Sequence, residues 1–254
     1  MGKPTFIPKL SVITVVYNDE KNIERTLLSV INQSYKHIEY LVIDGGSTDG
    51  TVELIKAYEN RISRWLSESD RGIYDAMNKG LAMATGDYVL FMNSGDELYD
   101  AHTVEHVFGS FSDADIYYGE TEMYDEHWQS LGRRRHGVPE KFTWQSFKYG
   151  MNISHQALYV RKSITEPYDE HYQLSADIDW VIKAAQKAKK TVNVHRYVAK
   201  YLVGGMSKKR HLLSLKERFN IFTEYYGFVP NLFHHGVIAL RLAWYYLKHG
   251  KTND

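Results

Sequence analysis

Leu10-Ser11-Val12-Ile13-Thr14-Val15-Val16, closed at once by Tyr17-Asn18-Asp19, is the stretch on which the reading of this 254-residue chain turns. Seven residues dominated by β-branched side chains read as a strand, and the sudden change to polar residues marks its carboxyl end. Asn18 or Asp19 can cap a following helix, whose apolar positions Ile23, Leu27, Leu28, Val30 and Ile31 recur at helical spacing. The rhythm then repeats. Residues 40–43 (YLVI) form a second strand that ends in Asp44-Gly45-Gly46-Ser47-Thr48-Asp49, and Asp49-Gly50-Thr51 opens a short helix through Leu54 and Ile55. A third strand over 62–66 precedes Asp70-Arg71-Gly72, and residues 75–83 form a third helix closed by Thr85-Gly86-Asp87. A fourth strand over 88–92 ends in Asn93-Ser94-Gly95-Asp96. Strand and helix alternating in this way specify an α/β fold around a mainly parallel sheet.

The second half is less regular. Residues 116–118 and 157–160 read as strands, 178–188 as a helix, 191–198 as a strand and 212–226 as a helix. Residues 119–144 mix charges, aromatics and the run Arg133-Arg134-Arg135 without clear periodicity, so a long functional loop or hairpin is expected there. With no internal repeat and no low-complexity linker, the expected organisation is one continuous domain over residues 1–207 and a helical appendage over 208–254.

Composition narrows the function. Lys and Arg together number 31, as do Asp and Glu, so no global positive field exists to hold nucleic acid. Cys is absent, which removes disulfides, thiolate nucleophiles and Cys-ligated metal centres and fits a reducing compartment. Residues 1–10 lack the apolar core of a signal peptide, and Phe6 stands where a myristoylation motif needs Ser or Thr. A cytoplasmic location is expected.

In open parallel sheets, ligands bind at the carboxyl ends of the strands, where the strand order reverses. The polar residues of this chain gather there, after all four early strands. Phosphate-loop and EF-hand readings of residues 44–51 fail: Thr51 stands where a phosphate loop needs Lys, and Asp49 where an EF-hand needs Gly. A plain helix-capping turn remains open for this segment. Asn93-Ser94-Gly95-Asp96 offers hard oxygen atoms at a strand end, which suit Mg2+ or Mn2+ beside a diphosphate, although a turn capping the next helix would use the same residues.

Taken together, residues 11–18 (SVITVVYN), 44–51 (DGGSTDGT), 84–87 (ATGD) and 93–96 (NSGD) resemble the inverting family 2 glycosyltransferases of GT-A fold, over residues 10 to 207. Residues 70–80 (DRGIYDAMNKG) resemble the branch that builds bacterial surface polysaccharides. The resemblance implies a Rossmann-like central sheet flanked by helices and a sugar transfer from a nucleotide-sugar, expected to be a uridine diphosphate sugar, to a glycan or lipid-linked acceptor. It places Tyr17, Asn18, Asp44, Asp70, Arg71, Asn78 and Asn93 around the donor, and Asp96 on Mn2+ or Mg2+. The family's metal motif commonly reads Asp-x-Asp, and here Asn93 and Gly95 replace acidic members. Asp177 matches the position of the catalytic base. Asp179, two residues along and on another helical face, is the second candidate, and His155 falls near the acceptor or the donor sugar. Helix N-terminal stabilisation for the two acids, and plain hydrogen bonding for the histidine, stand beside these roles.

Gly204-Gly205-Met206-Ser207 and the basic residues after it resemble a segment that closes over the donor. Residues 232–247 (LFHHGVIALRLAWYYL) are apolar but shorter than the ~20 residues that span a bilayer. With their aromatics and nearby Lys and Arg they suit an anionic membrane surface, peripheral on its inner face; packing on the core or a dimer contact serves equally, and the oligomeric state stays open. A sugar-nucleotide pyrophosphorylase and a noncatalytic glycan-binding or assembly protein are the alternatives. The first lacks its Gly-rich basic loop after Val16; the second would keep the fold without the chemistry.

Overall fold

In the computed structural model, which describes residues 6–109, 113–134, 137–150, 153–204 and 210–249, the early strands form as their patterns dictate. β1 (Leu10–Val16), β2 (Ile38–Asp44), β3 (Arg64–Ser67) and β4 (Tyr88–Phe91) are mutually parallel where they pair, and α1 (Glu20–Ile31), α2 (Thr51–Ala57) and α3 (Ile73–Met83) connect them. Chain order continues with β5 (Glu97–Leu98), α4 (Thr103–Gly109), β6 (Ile116–Tyr124), β7 (Ser130–Arg133), β8 (Leu158–Arg161), α5 (Ala176–Lys187), β9 (Thr191–Leu202), α6 (His211–Tyr226) and α7 (Phe228–His249). Among the described residues the nine strands make one sheet in the order β3-β2-β1-β4-β8-β6-β9-β5, with β7 paired to β6. β8 runs antiparallel to both β4 and β6, so the parallel half stops at β4.

Both faces of the parallel half are covered, and the period-2 alternation of β1 shows how. Ile13 and Val15 pack with Leu41, Ile43, Val89 and Phe91 under α3, α5 and α6. Leu10, Val12 and Val16 pack with Tyr40, Val42 and Leu90 under α1 and α4. Because β1 sends its connection to β2 on one side and has β4 on the other, the sheet order reverses beside it. A crevice therefore opens at the carboxyl ends of β1 and β4.

The Ala84-Thr85-Gly86-Asp87 turn is a latch that sets β4 against β1. Buried Glu39 accepts from Ser11 Oγ (2.6 Å), Thr85 N (2.7 Å) and Thr85 Oγ1 (2.7 Å), while Gly86 N donates to Ser11 Oγ (2.8 Å). A Cβ on Gly86 would sit 2.7 Å from Ser11 N, so the close approach of the two chain segments requires glycine.

The structure departs from the sequence reading at Asp19 and extends it elsewhere. Asp19 occupies the position before α1 but makes no side-chain cap; its Oδ2 accepts from Ser94 Oγ (2.6 Å) across the crevice, and Asp49 takes over, accepting from Glu20 N (3.1 Å) and Thr51 N (3.0 Å) at the starts of α1 and α2. Residues 119–144 begin as an extension of β6 and turn back as the β6–β7 hairpin, the hairpin alternative of the sequence reading. Helix α4 was absent from the pattern because its seven residues complete only two turns. The first of the two C-terminal helices is built into the core: Ile221 and Phe222 of α6 are buried with the α5 residues, and Asn231 at the start of α7 donates to Phe219 O (3.0 Å) and Thr223 Oγ1 (2.9 Å) of α6.

Candidate active site

The crevice is floored by two turns that hold one another. Asn18, with a left-handed φ of 47°, donates its backbone N–H to Ser47 Oγ (2.7 Å) and accepts from Thr48 N (2.8 Å), which ties the end of β1 to the turn after β2. Tyr17 beside it is 63% exposed and presents its ring at the rim. Asp44 is fully buried; its carboxylate accepts from Ser47 Oγ (2.5 Å), Ser47 N (3.0 Å), Gly46 N (3.1 Å) and Ser67 Oγ (2.6 Å), so both oxygens are engaged in shaping the turn. Asp70 lies directly over Gly45, where a Cβ would meet its Oδ2 at 2.4 Å. Burial pushes the Asp70 carboxyl up, against the pull of Gly72 N–H and Lys79.

Arg71 is 76% exposed and paired with Asp75 (2.9 Å) and Glu170 (2.8 Å). The Asn78 amide is also engaged, donating to Tyr168 O (2.9 Å) and accepting from Tyr168 N (2.7 Å), so it fastens the loop that precedes α5.

On the β4 side, Asn93, Asp96, His155 and Asp177 come together from three separate segments. His155 Nε2 is 3.3 Å from Asn93 Nδ2, and His155 Nδ1 is 3.5 Å from Asp177 Oδ2. Asp177 sits in the first turn of α5, where the helix dipole favours its charged form, and Tyr74 of α3 donates to its Oδ1 (3.4 Å). Tyr74 is fixed in turn by a stack on Tyr168 (5.5 Å), which stacks on Trp180 (5.1 Å). Burial raises the Asp177 carboxyl, but the hydrogen bond and charge of His155, with help from Arg218, outweigh it and hold the group below the ordinary carboxylate range. Asp96 shows the opposite balance: burial pushes it up to about 7 despite His155 and the N–H of Leu202, with Asp19 adding to the rise.

Asp179 leaves this group. It is buried on the α6 side, where Tyr225 donates to Oδ1 (2.6 Å) and Lys183 pairs with Oδ2 (2.8 Å). Of the two acids in the first turn of α5, Asp177 alone joins His155. Sequence reasoning missed Tyr74, Tyr201, Arg134 and Arg218. Arg134 and Arg218 both act electrostatically on Tyr201, as do Asp96 and Asp177. Arg134 stood in view within the Arg133-Arg134-Arg135 run, but no local pattern connects it to a helix some eighty residues later.

Asn93 Oδ1 is buried without a partner among the described residues, and together with the Asp96 carboxylate it makes a set of hard oxygen donors at a strand end. That set suits Mg2+ or Mn2+, which keep waters and share substrate phosphates. Among the described residues no group of three His, Cys, Asp or Glu gathers to hold a metal by itself.

The strand-end site, with paired turns on one side and a histidine-paired acid on the other, lies in a chain whose fold is that of the GT-A glycosyltransferases. Residues 11–166 match the profile of Glycosyl transferase family 2, and the chain belongs to that family. A PGL/p-HBAD biosynthesis glycosyltransferase of Mycobacterium bovis is 30% identical over 211 residues, covering 79% of each chain. An uncharacterized glycosyltransferase of Mycobacterium tuberculosis is 34% identical over 191 residues, covering 71% of this chain and 70% of its own. Among solved structures, the mannosyltransferase PcManGT from Pyrobaculum calidifontis, in complex with GDP-Man and Mn2+, superimposes with a TM-score of 0.65 at 18% identity over 98% of this chain and 78% of its own. S. aureus TarS 1-349 in complex with UDP-GlcNAc gives 0.64 at 20% identity over 89% and 72%. This chain spans 42% of the longer TarS structure.

Proposed function

We propose that this glycosyltransferase moves one sugar, with inversion, from a nucleoside diphosphate sugar to a hydroxyl of a glycan or lipid-linked acceptor, with Asp177 as the general base. The observation that supports this most directly is the His155 bridge, which couples Asn93 at the end of β4 to Asp177 at the start of α5. An inverting transfer needs one ionised group to take the acceptor proton while that oxygen attacks opposite the departing diphosphate. Asp177 is kept charged and aimed by His155 and Tyr74, and 18% of its side chain remains accessible.

On the donor side, the exposed ring of Tyr17 offers a stacking face for the base, with Asn18 and the turn shaped by Asp44 beneath it. Asp70 supplies a carboxylate acceptor for a base N–H. The neighbouring structures carry UDP-GlcNAc and GDP-Man, and a uridine diphosphate sugar is the first donor to test. Asn93 and Asp96 would hold Mn2+ or Mg2+, which when bound supplies charge to the leaving diphosphate.

The C-terminal helix favours a peripheral membrane role. Val229, Leu232, Phe233, Leu240, Trp244 and Leu247 of α7 are exposed at spacings of three, four and seven residues, a continuous apolar stripe. No helix among the described residues is long and apolar enough to cross a membrane. Incubation with a panel of nucleotide-sugars and Mn2+, scoring nucleotide release, tests the proposed activity. Release with none of them, from folded protein, would favour a noncatalytic glycan-binding role.

A further inference from the structure

Glu217 and Arg218 are adjacent on α6 and are satisfied in opposite ways. Glu217 is buried and spends its two oxygens on Gln173 N and Leu174 N, both at 2.9 Å, just ahead of α5. Arg218 has no ion pair or hydrogen bond among the described residues, and its Nε is buried without an acceptor. Across from it, Arg134 follows β7 and donates to Ser154 Oγ (2.7 Å), with no carboxylate at ion-pair distance among the described residues. Burial and the charge of Arg218 work against the charged form of Arg134, while Tyr201 and Asp177 favour it without outweighing them. Asp177 is the acid within electrostatic reach of both, yet its oxygens face Tyr74 and His155.

Two like charges drawn from different elements into a shielded place, and left without matching acids, are costly unless an anion completes them. A pair of planar forks suits the several oxygens of a phosphate. Their position decides which phosphate. Arg134 is fastened to the residue preceding His155, and Arg218 stands one position from the glutamate that fixes the entry to α5. The pair thus lies with the base, while the nucleoside floor of Tyr17, Asn18 and Asp70 is built from other strand ends.

We propose that Arg134 and Arg218 form an oxyanion subsite for a phosphate group carried by the acceptor, beside Asp177. This rests on the reading of Asp177 as the base. It makes the acceptor a phosphate-bearing glycan or glycolipid rather than a neutral oligosaccharide.

The donor diphosphate has the same chemistry, so the test separates the two sources. Inorganic phosphate is titrated into the whole protein, with and without saturating UDP and Mg2+, and UDP affinity is measured on the same samples. The expected result is that phosphate binds with UDP in place. Arg134→Gln and Arg218→Gln should each weaken phosphate at least tenfold and leave UDP affinity within twofold, which also reports that they fold. Arg218→Lys, which keeps the charge without the fork, should fall between. Asp177→Asn should retain phosphate binding, so a loss of transfer there with phosphate still bound separates the base from the subsite. If UDP displaces the phosphate, or if UDP affinity falls with the arginines in variants whose melting is unchanged, the pair serves the donor and the proposal fails. It also fails if wild type binds no phosphate or the Gln variants bind it equally well.

Discussion

His155 Nδ1 stands 3.5 Å from Asp177 Oδ2 at the first turn of α5, and its charge and hydrogen bond offset the burial that would otherwise raise that carboxyl. The sign of the pH effect follows. With a lowered value the proposed base stays ionised into acid, so the acid limb of kcat/KM for wild type should fall below the ordinary carboxylate range. His155→Gln removes the charge and leaves the burial, and the limb should move to higher pH. A limb that does not move in the variant would detach the histidine from the base.

Asp177→Asn keeps the shape and removes the proton affinity. Transfer should drop by roughly 10²–10⁴-fold in kcat, with nucleotide affinity nearly intact. Asp179→Asn is the control, and because that side chain holds Tyr225 and Lys183 its effect should appear in thermal stability rather than in kcat. An active Asp177 variant would move the base elsewhere.

Removal of the metal and removal of its proposed carboxylate should look alike. Calorimetric titration of UDP with Mn2+ should weaken roughly 10–100-fold on adding EDTA and equally in Asp96→Asn. Equal affinity in all three conditions would eliminate the cation from donor binding.

Glu39 ties β1, β2 and the turn before β4, and its carboxyl is lowered from 4.5 to about 2; burial raises it, and hydrogen bonds from Ser11, Thr85 and Lys9 overcome that. A carboxyl depressed on folding stabilises above its unfolded value and loses that contribution as pH falls through the folded one. At about 1.36 kcal/mol per pH unit the contribution is about 3 kcal/mol. Glu39→Gln should therefore unfold at lower urea at pH 7, and the gap from wild type should close between pH 4.5 and about 2. A gap independent of pH would mean that packing, not charge, carries the latch.

The exposed stripe of α7 should bind lipid. Leu240→Glu combined with Trp244→Glu should abolish sedimentation with phosphatidylglycerol vesicles while leaving the melting temperature unchanged, since both side chains are outside the core. A fall from dimer to monomer in the variant, with no vesicle binding by wild type, would assign the stripe to a second copy instead.

The parallel half of the sheet was legible because its strands are apolar on both faces and end abruptly in polar turns: β1 occupies the residues its pattern marked, and β2 and β4 lie within two residues of theirs. β6 and β9 run on past their marked ends because their outer residues are part-buried and mix polar with apolar side chains, so neither a continuous apolar run nor a clean alternation marks them. At the site, the rim residues could be located from strand ends alone. Saturation could not. Asp44 and Asn78 have the composition of ligand-binding residues, but only tertiary contacts reveal that their polar atoms already serve the protein's own backbone. Tyr74 bonds to Asp177, and Arg134 and Arg218 act on it electrostatically, from three segments widely separated in the chain, and no window of sequence contains that arrangement.

The clamp from Glu217 to Gln173 and Leu174 makes the C-terminal segment something other than an exchangeable module. The helix that carries Arg218 also fixes the backbone from which Asp177 projects. Any drift in α6 that alters the proposed Arg218 subsite therefore shifts the proposed base as well. Divergence among relatives should accordingly proceed by paired change at 173–177 and 214–218, and a chimera that grafts a foreign C-terminus onto this sheet should regain turnover only when residues 173–177 travel with it.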